Sequence, residues 1–508
     1  MNQGLALEIM LSGQSVLLTG PAGSGKTFVL NQFIKLSKYE GKHVSVTATT
    51  GLAATHLGGT TIHSWSGMGI QDSVGQGFAE HIAKGRREII EKTDVLIIDE
   101  ISMLHDFRLD MVDEICRLVR KVDEPFGGIQ LILSGDFFQL PPINRGDSRA
   151  GGFVVNAEVW RELDPVICYL QEQHRQDDEE LLEILNAIRA GDVRRGHAET
   201  LLARTEVFPD DLEQLTELHT VNIDVDTLND AKLQTIEEDE VVYGQTTTGS
   251  ANYIETLQRS VLAPASLKVK KGALVMAVKN SPERKYANGS IGTIIDFEPY
   301  TDYPIVAFKN GKEVSMVPDT WELRDGDKKR ASITQIPLRL AWAITIHKSQ
   351  GMTLDAARID LRKAFVEGMG YVALSRVKNL NNLYLTGINQ MALKVSEDAQ
   401  TIDEVLRSKA ASDAKRFAHF EKKAAERAAK PPVEKSEKSG KPGWAEKIAK
   451  MRETHPNAYK PWETDQDETL KEMFQQGVSL AELSTLLGRH EGSITMRLQK
   501  HFGEDVVQ

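Results

Sequence analysis

The segment GPAGSGKT at Gly20–Thr27 constrains this chain more than any other feature. It matches the pattern G-x-x-x-x-G-K-[ST], and both flanks carry the context that the pattern requires. The apolar run Ser15–Thr19 reads as a buried strand entering the loop, and TFVLNQFIKLSKYE leaves it with helical periodicity. Gly20, Gly23 and Gly25, with Pro21, Ala22 and Ser24 between them, let backbone N–H groups curl around phosphate oxygens, and the helix N-terminus adds its partial positive charge. In such a loop Lys26 reaches the β- and γ-phosphates and Thr27 holds Mg2+. The chain is therefore expected to bind ATP with Mg2+. A glycine-rich turn that matches by chance is the competing reading, and the two flanks argue against it.

DVLIIDEISML follows seventy-odd residues later. Its apolar residues predict a strand over Asp94–Ile98, and Asp99 and Glu100 stand at the carboxyl end, where ligands of such sheets bind. Asp99 is expected to complete the Mg2+ shell and Glu100 to polarise the attacking water. Together the two motifs specify a nucleotide-hydrolysing protein. Kinases, transporters and regulatory ATPases share them, so they do not by themselves specify a motor.

The first ~165 residues alternate short Val/Ile/Leu-rich strands (Ser15–Thr19, His43–Thr47, Asp94–Ile98, Ile129–Leu133) with helical patterns, which predicts an α/β domain with a parallel sheet. A second alternating region covers about 166–409, with strands near Leu215–Thr220, Ala356–Leu361 and Leu383–Thr386. Residues 267–335 are β-rich and carry Asn–Gly pairs at Asn288–Gly289 and Asn310–Gly311; the second pair predicts a tight hairpin. This region reads as a small antiparallel insert in the second domain. Residues 410–455 pass from Ala, Lys and Glu to Pro, Lys, Ser and Gly, a charged linker by composition, with a solvated helix open for its first half.

Further segments occur in an order that narrows the reading. They are VTATTGLAA with Thr49 and Thr50, GGTTIHSW with His63 and Trp65, LILSGDFFQLPPI with Asp136 and Gln139, LQEQHRQDD with Arg175, TIHKSQG with Thr345, His347, Lys348, Gln350 and Gly351, and YVALSRVKN with Arg376. From Gln3 to about Thr386 the chain resembles a superfamily 1 group B helicase, the PIF-type and RecD-like 5′→3′ DNA enzymes. The resemblance implies two RecA-like motor domains, the first over 1–165 and the second over 166–409. It also implies an SH3-like β-barrel at the position of the insert and a strand-separating wedge near 71–87. By resemblance, Gln3 (seventeen positions before Gly20) reads the adenine edge, Gln139 senses the γ-phosphate, and Arg175 and Arg376 bring guanidinium groups from the second domain. Gln350 and Gly351 lie near the nucleotide. Thr49, Thr50, His63, Trp65, Thr345, His347 and Lys348 are implied to meet the DNA strand. For Trp65 packing beneath its loop is the commoner role of such a residue, and for Gln3 a frayed terminal residue is the competing reading.

The last ~50 residues read as three helices, with Leu470 and Phe474 on the first, Leu480, Leu483, Leu486 and Leu487 on the second, and Ile494, Met496 and Leu498 on the third. Gly477 and Gly488 supply the turns. A helix-turn-helix-like unit over 456–508 is expected, resembling Myb-like or sigma-type domains, with Arg489, His490, Ser493, Arg497 and Lys500 able to face DNA. Many three-helix units bind proteins instead.

Composition bounds the rest. The net charge of -12 argues mildly against a nucleic-acid binder, yet Arg407–Lys450 holds 13 Lys and Arg against 6 Asp and Glu. A strand-tracking motor needs only a locally positive channel. No run reaches the ~18 apolar residues of a spanning helix, and Met1–Gln14 has no basic leader, so no membrane association and a cytoplasmic setting are expected. Cys116 and Cys168 sit in apolar runs and read as buried thiols. The expected function is a monomeric, ATP-driven 5′→3′ DNA helicase acting on single-stranded and forked DNA in repair, recombination or replication, with protein partners open through the C-terminal unit. An RNA-directed helicase and an ATP-switched DNA-binding regulator are the alternatives.

Overall fold

The computed structural model describes residues 1–69, 73–74, 78, 82–142, 144, 149–172, 178–208, 215–220, 225–281, 283, 285–286, 288–299, 301–325, 328–429, 452, 454–457 and 464–502. Arg175 and about half of the expected wedge near 71–87 (71–72, 75–77 and 79–81) lie outside the described residues. The chain divides into two compact units, Met1–Ala429 and Lys430–Gln508.

The larger unit begins with a six-stranded, wholly parallel sheet. In chain order its strands are β1 (Val16–Thr19), β2 (Val44–Ala48), β3 (Thr60–Thr61), β4 (Val95–Asp99), β5 (Gln130–Gly135) and β6 (Val166–Tyr169). In space they run β3-β2-β4-β5-β1-β6. Both faces are covered, as the near-continuous apolar strands require. Leu17, Leu96, Ile98, Leu131 and Leu133 enter one core, while Val16, Leu18, Val95, Ile97 and Ile132 enter another beneath α1 (Gln3–Leu11) and α2 (Lys26–Tyr39). The carboxyl ends of β1, β4 and β5 therefore sit side by side, which brings Gly20, Asp99 and Asp136 to one edge.

A second, four-stranded parallel sheet joins Ala343–Thr345, Glu217–His219, Ala357–Leu361 and Leu383–Ile388 in that order. Between its first two strands in sequence lie three antiparallel sheets among the described residues. One has five strands from Leu274–Ala277 to Leu338–Leu340, one has three, and one pairs Val241–Gly244 with Ser266–Val269. Asn310–Gly311 turns the hairpin between Pro304–Phe308 and Glu313–Ser315, with Gly311 at φ +78°.

The helical structure outlasts the expected motor boundary. Helix Glu397–Arg416 packs on β6, and helix Glu421–Ala429 packs on α1. Residues 410–429 are thus part of the larger unit, a correction to a linker starting at 410. The cause is a specific partner that composition does not reveal: Glu8 of α1 is fully buried and meets Lys423 and Arg427. Among the described residues no helix is long and apolar enough to cross a membrane. Both cysteines are buried free thiols.

The smaller unit holds helices Thr464–Gln475, Leu480–Leu487 and Glu491–Phe502 around Leu470, Leu483, Leu487, Ile494 and Leu498. Ser479 and Glu482 form a capping box at the second helix, and Gly488 ends it in the left-handed region at φ +60°. Leu486 departs from the expected core face and stands 60% exposed.

Candidate functional site

At the end of β1 the chain must turn without side-chain bulk. Gly20 has φ +146°, and a Cβ there would lie 2.4 Å from the Leu170 carbonyl oxygen. Gly23 and Gly25 also take positive φ, at +83° and +86°. The loop then feeds α2, and Lys26 folds back so that its Nζ donates to the carbonyls of Gly20 (2.8 Å) and Pro21 (3.0 Å). A cavity of about 580 Å3 opens over this loop, lined by Ala22, Lys26, Thr27, Glu100, Gln139 and Arg376 among others, Gly351 included. Gln3 is no frayed residue. Asn2 caps α1, the terminal ammonium donates to the Tyr169 carbonyl, and Gln3 Nε2 donates to the Ser24 carbonyl at 3.1 Å.

Burial shapes the electrostatics. It pushes the Lys26 ammonium below its ordinary pKa and the Asp99 carboxyl above. Glu100 is pushed up to about 7 by burial first and by the Asp99 charge second. Glu100 also occupies the left-handed region (φ +55°), an uncommon place for a non-glycine residue. Excess buried carboxylate beside a threonine hydroxyl suits Mg2+, which keeps much of its water and takes few protein ligands. Thr27 and Asp99 fit that role. Among the described residues no cluster of three His, Cys, Asp or Glu offers an all-protein metal site.

Three distant segments meet at this cavity. Gln350 Nε2 donates to Gln139 Oε1 at 3.1 Å and to Glu100 Oε2 at 3.2 Å. Thr49 Oγ1 donates to the Glu100 carbonyl at 2.9 Å. Arg376 lines the cavity too, but its guanidinium is buried, donating to the carbonyls of Val372, Ser349 and Met352 and to Ser375 Oγ. In this conformation it braces the Ser349–Met352 turn.

Sequence reasoning missed a buried network behind the loop. Arg189, from helix Glu179–Ala190, donates to both carboxylate oxygens of Asp136 (2.7 and 2.9 Å) and to Tyr371 Oη (3.0 Å). Tyr371 Oη donates to Asp136 and accepts the Ala22 N–H at 2.9 Å. The motifs containing Asp136 and Tyr371 were visible; Arg189 carried no local signal, because its partner lies 53 residues away.

The residues expected to meet nucleic acid behave unequally. Trp65 is 7% exposed and packs in the core, which settles its alternatives in favour of packing. Thr50 caps a short helix by accepting the Ala53 N–H. Thr345 is buried, and its hydroxyl accepts the Lys348 N–H; it does not face outward as expected. His63 is half-buried, and burial first, then Arg108 and His105, push it down to about 4, so it is neutral near pH 7. His347 and Lys348 are half-buried, and Lys348 borders a cavity. In the smaller unit, Arg489 is 2% exposed and bonds Gln466 Oε1 at 2.8 Å, and Arg497 pairs with Asp467. The expectation that Arg489 faces DNA is corrected: burial of its guanidinium required an internal acceptor. Arg497 is engaged within its own unit.

The family model described as PIF1-like helicase matches residues 5–197. An ATP-dependent DNA helicase Pif1 from Psychrobacter sp. is 39% identical over 463 residues, covering 79% of this chain and 70% of that protein. An ATP-dependent DNA helicase PIF1 from Xenopus laevis is 38% identical over 386 residues, and this chain matches only 60% of its length. A crystal structure of Pif1 helicase from Bacteroides in complex with ADP-AlF3 and ssDNA has a TM-score of 0.56 at 31% identity, covering 79% of this chain and 97% of that one. With the phosphate loop, Glu100 and Gln139 gathered at one cleft, the chain belongs to the PIF1-like helicase family.

Proposed function

We propose that this protein is an ATP-dependent DNA helicase that moves 5′→3′ along single-stranded DNA and opens duplexes at forks. The observation that carries this is the contact of Gln350 with both Gln139 and Glu100. It ties TIHKSQG, the segment that also holds His347 and Lys348, to the hydrolytic carboxylate. A simple ATP switch needs no such tie.

ATP is the substrate. The loop N–H groups of Gly23–Thr27 and the Lys26 ammonium hold the β- and γ-phosphates, and Gln3 reads the adenine edge. Thr27 and Asp99 would hold Mg2+, which would supply positive charge against the phosphate oxygens. Glu100 orients the attacking water and takes its proton as the bond to the γ-phosphorus forms and the β–γ bridge breaks, releasing ADP and phosphate. Gln139 senses the γ-phosphate and Gln350 relays its loss to the strand-facing segment. Arg175 and Arg376 supply cationic charge to the departing phosphoryl group, Arg376 after release from its carbonyl partners. Thr49, Thr50, His63, His347 and Lys348 form the strand path, with Thr49, Thr50 and Thr345 acting through backbone position. The relative bound to ssDNA and the relatives named DNA helicases favour DNA over RNA. The C-terminal unit is a second docking element, for DNA or a protein, in a cytoplasmic repair or recombination setting.

The test is unwinding of duplexes carrying a 5′ or a 3′ single-stranded tail, with ATPase followed in parallel. Opening of the 5′-tailed duplex alone and ATPase stimulated by single-stranded DNA are expected. Opening of the 3′-tailed form would reverse the polarity, and unstimulated ATPase with no opening would favour the regulator.

A further inference from the structure

A second cavity, of about 610 Å3, lies away from the nucleotide site, between helix Val225–Gln234 and strand Leu338–Leu340. Arg339 and Lys348 both line it. Arg339 projects from the edge of the five-stranded sheet, opposite Met276. Its side chain is only 9% exposed. Among the described residues its Nε is buried with no hydrogen-bond partner, and the one ion pair of the group is a 3.5 Å approach of Nη2 to Asp226 Oδ1. Asp226 is itself 78% exposed, at the solvent side.

A guanidinium has five N–H donors and no acceptor. Nearly buried and so poorly matched, it bears a desolvation cost that only an anion or several hydrogen bonds offset. Lys348 adds to the imbalance. Burial holds its ammonium below its ordinary pKa, and the Arg339 charge pushes the same way. Asp230 and Asn229 complete the helix-side wall, so among the described residues Asp226 and Asp230 are the two carboxylates at the cavity. Neither is within hydrogen-bond distance of Arg339 Nε. The planar fork suits two oxygens of a tetrahedral anion, and the adjoining ammonium suits a third.

We propose that Arg339, with Lys348, forms a seat for one backbone phosphate of single-stranded DNA, and that Asp226 stands in for that phosphate until the strand displaces it. The inference rests on the DNA reading above and adds Arg339 to the strand path. It also gives the path a defined end beside the Thr345–Lys348 turn, two residues before Gln350.

The test is binding of a labelled single-stranded oligonucleotide to the full chain by fluorescence anisotropy, across a salt series. Arg339→Gln should weaken binding roughly 5- to 20-fold and reduce the slope of log K against log salt by about 0.7, the loss of one phosphate contact. Asp226→Asn, at an exposed position, should tighten binding a few-fold, and unchanged or weaker binding in it would overturn the stand-in role. Unchanged affinity and slope in Arg339→Gln would overturn the seat while wild-type DNA binding stands. So would weaker binding with a lower melting temperature and an unchanged slope, which marks a structural arginine. Protection of the wild type, but not of Arg339→Gln, by millimolar inorganic phosphate with an unaltered DNA slope would assign the site to a free anion and overturn the DNA assignment. Failure of the wild type to bind single-stranded DNA would instead sink the proposed function itself.

Discussion

Gln350 Nε2 lies 3.1 Å from Gln139 Oε1 and 3.2 Å from Glu100 Oε2, although 211 and 250 residues of chain separate the partners. One amide thus touches both the carboxylate proposed to handle water and the side chain proposed to sense the γ-phosphate. Residues joined in this way act as a unit and their losses do not add. Gln139→Ala and Gln350→Ala are each expected to lower DNA-stimulated kcat about tenfold. The double variant should fall little further. A hundredfold loss in the double variant, measured by steady-state ATPase, would show two independent roles.

Glu100 gives the pH dependence its sign. Burial and Asp99 raise its pKa to about 7, so the carboxyl is largely neutral below that pH. A neutral carboxyl cannot take a proton from water. The kcat/KM for ATP, which reports the free enzyme, should therefore fall as pH drops through about 7. Glu100→Gln should remove nearly all turnover while nucleotide binding persists. A residual activity in Glu100→Gln that keeps the same acidic limb would assign the titration to another group.

These candidate groups were legible because each lies in a short contiguous run whose backbone geometry is local: a glycine-rich turn after a strand, or acids at a strand end. The parallel sheet was legible for a related reason, since buried strands must be nearly continuous in Val, Ile and Leu. Arg189 was not, because nothing near it in sequence distinguishes it from a surface arginine on an amphipathic helix. Arg489 misled in the opposite direction. Helical periodicity located its turn, but whether a cation at a helix start points out or finds Gln466 depends on the tertiary neighbour. Helix Glu421–Ala429 looked solvated because its partner, α1 with the buried Glu8, lies at the other end of the unit.

Tyr371 tests whether that hidden network serves the phosphate loop. Tyr371→Phe preserves the ring and removes only the hydroxyl, leaving the buried Ala22 N–H without its acceptor and Asp136 without one donor. An unmade buried hydrogen bond costs about 1–3 kcal/mol. Part of that cost should appear as a several-fold rise in the Kd of ATP, because the loop is no longer held in its binding form. Arg189→Lys keeps a charge beside Asp136 but loses the bidentate fork and should shift the Kd in the same direction. Equal losses of melting temperature with an unchanged Kd in both variants, measured with a fluorescent nucleotide, would limit the network to stability.

The contact between Glu8 and helix Glu421–Ala429 should decide how short a stable motor can be. Glu8 is fully buried on α1, the helix that also presents Gln3 to the phosphate loop. Burial alone would raise its pKa; Arg427 and Lys423 outweigh that and hold the carboxyl below its ordinary value. A group depressed in the folded state stabilises above its unfolded pKa, and that contribution disappears as pH falls through the folded value. Removing both cations leaves a buried carboxylate unpaired, a costly state. Because the two cations are partly exposed, solvent screening reduces the effect to about 1–3 kcal/mol. Lys423→Ala with Arg427→Ala, or a chain ending at Arg416, should therefore melt several degrees lower at pH 7. The gap to the wild type should narrow toward pH 4 as Glu8 protonates. The Kd of ATP should rise as well, since α1 carries Gln3. A truncated chain with the wild-type melting temperature at pH 7 would show that helix Glu421–Ala429 adds nothing to the motor.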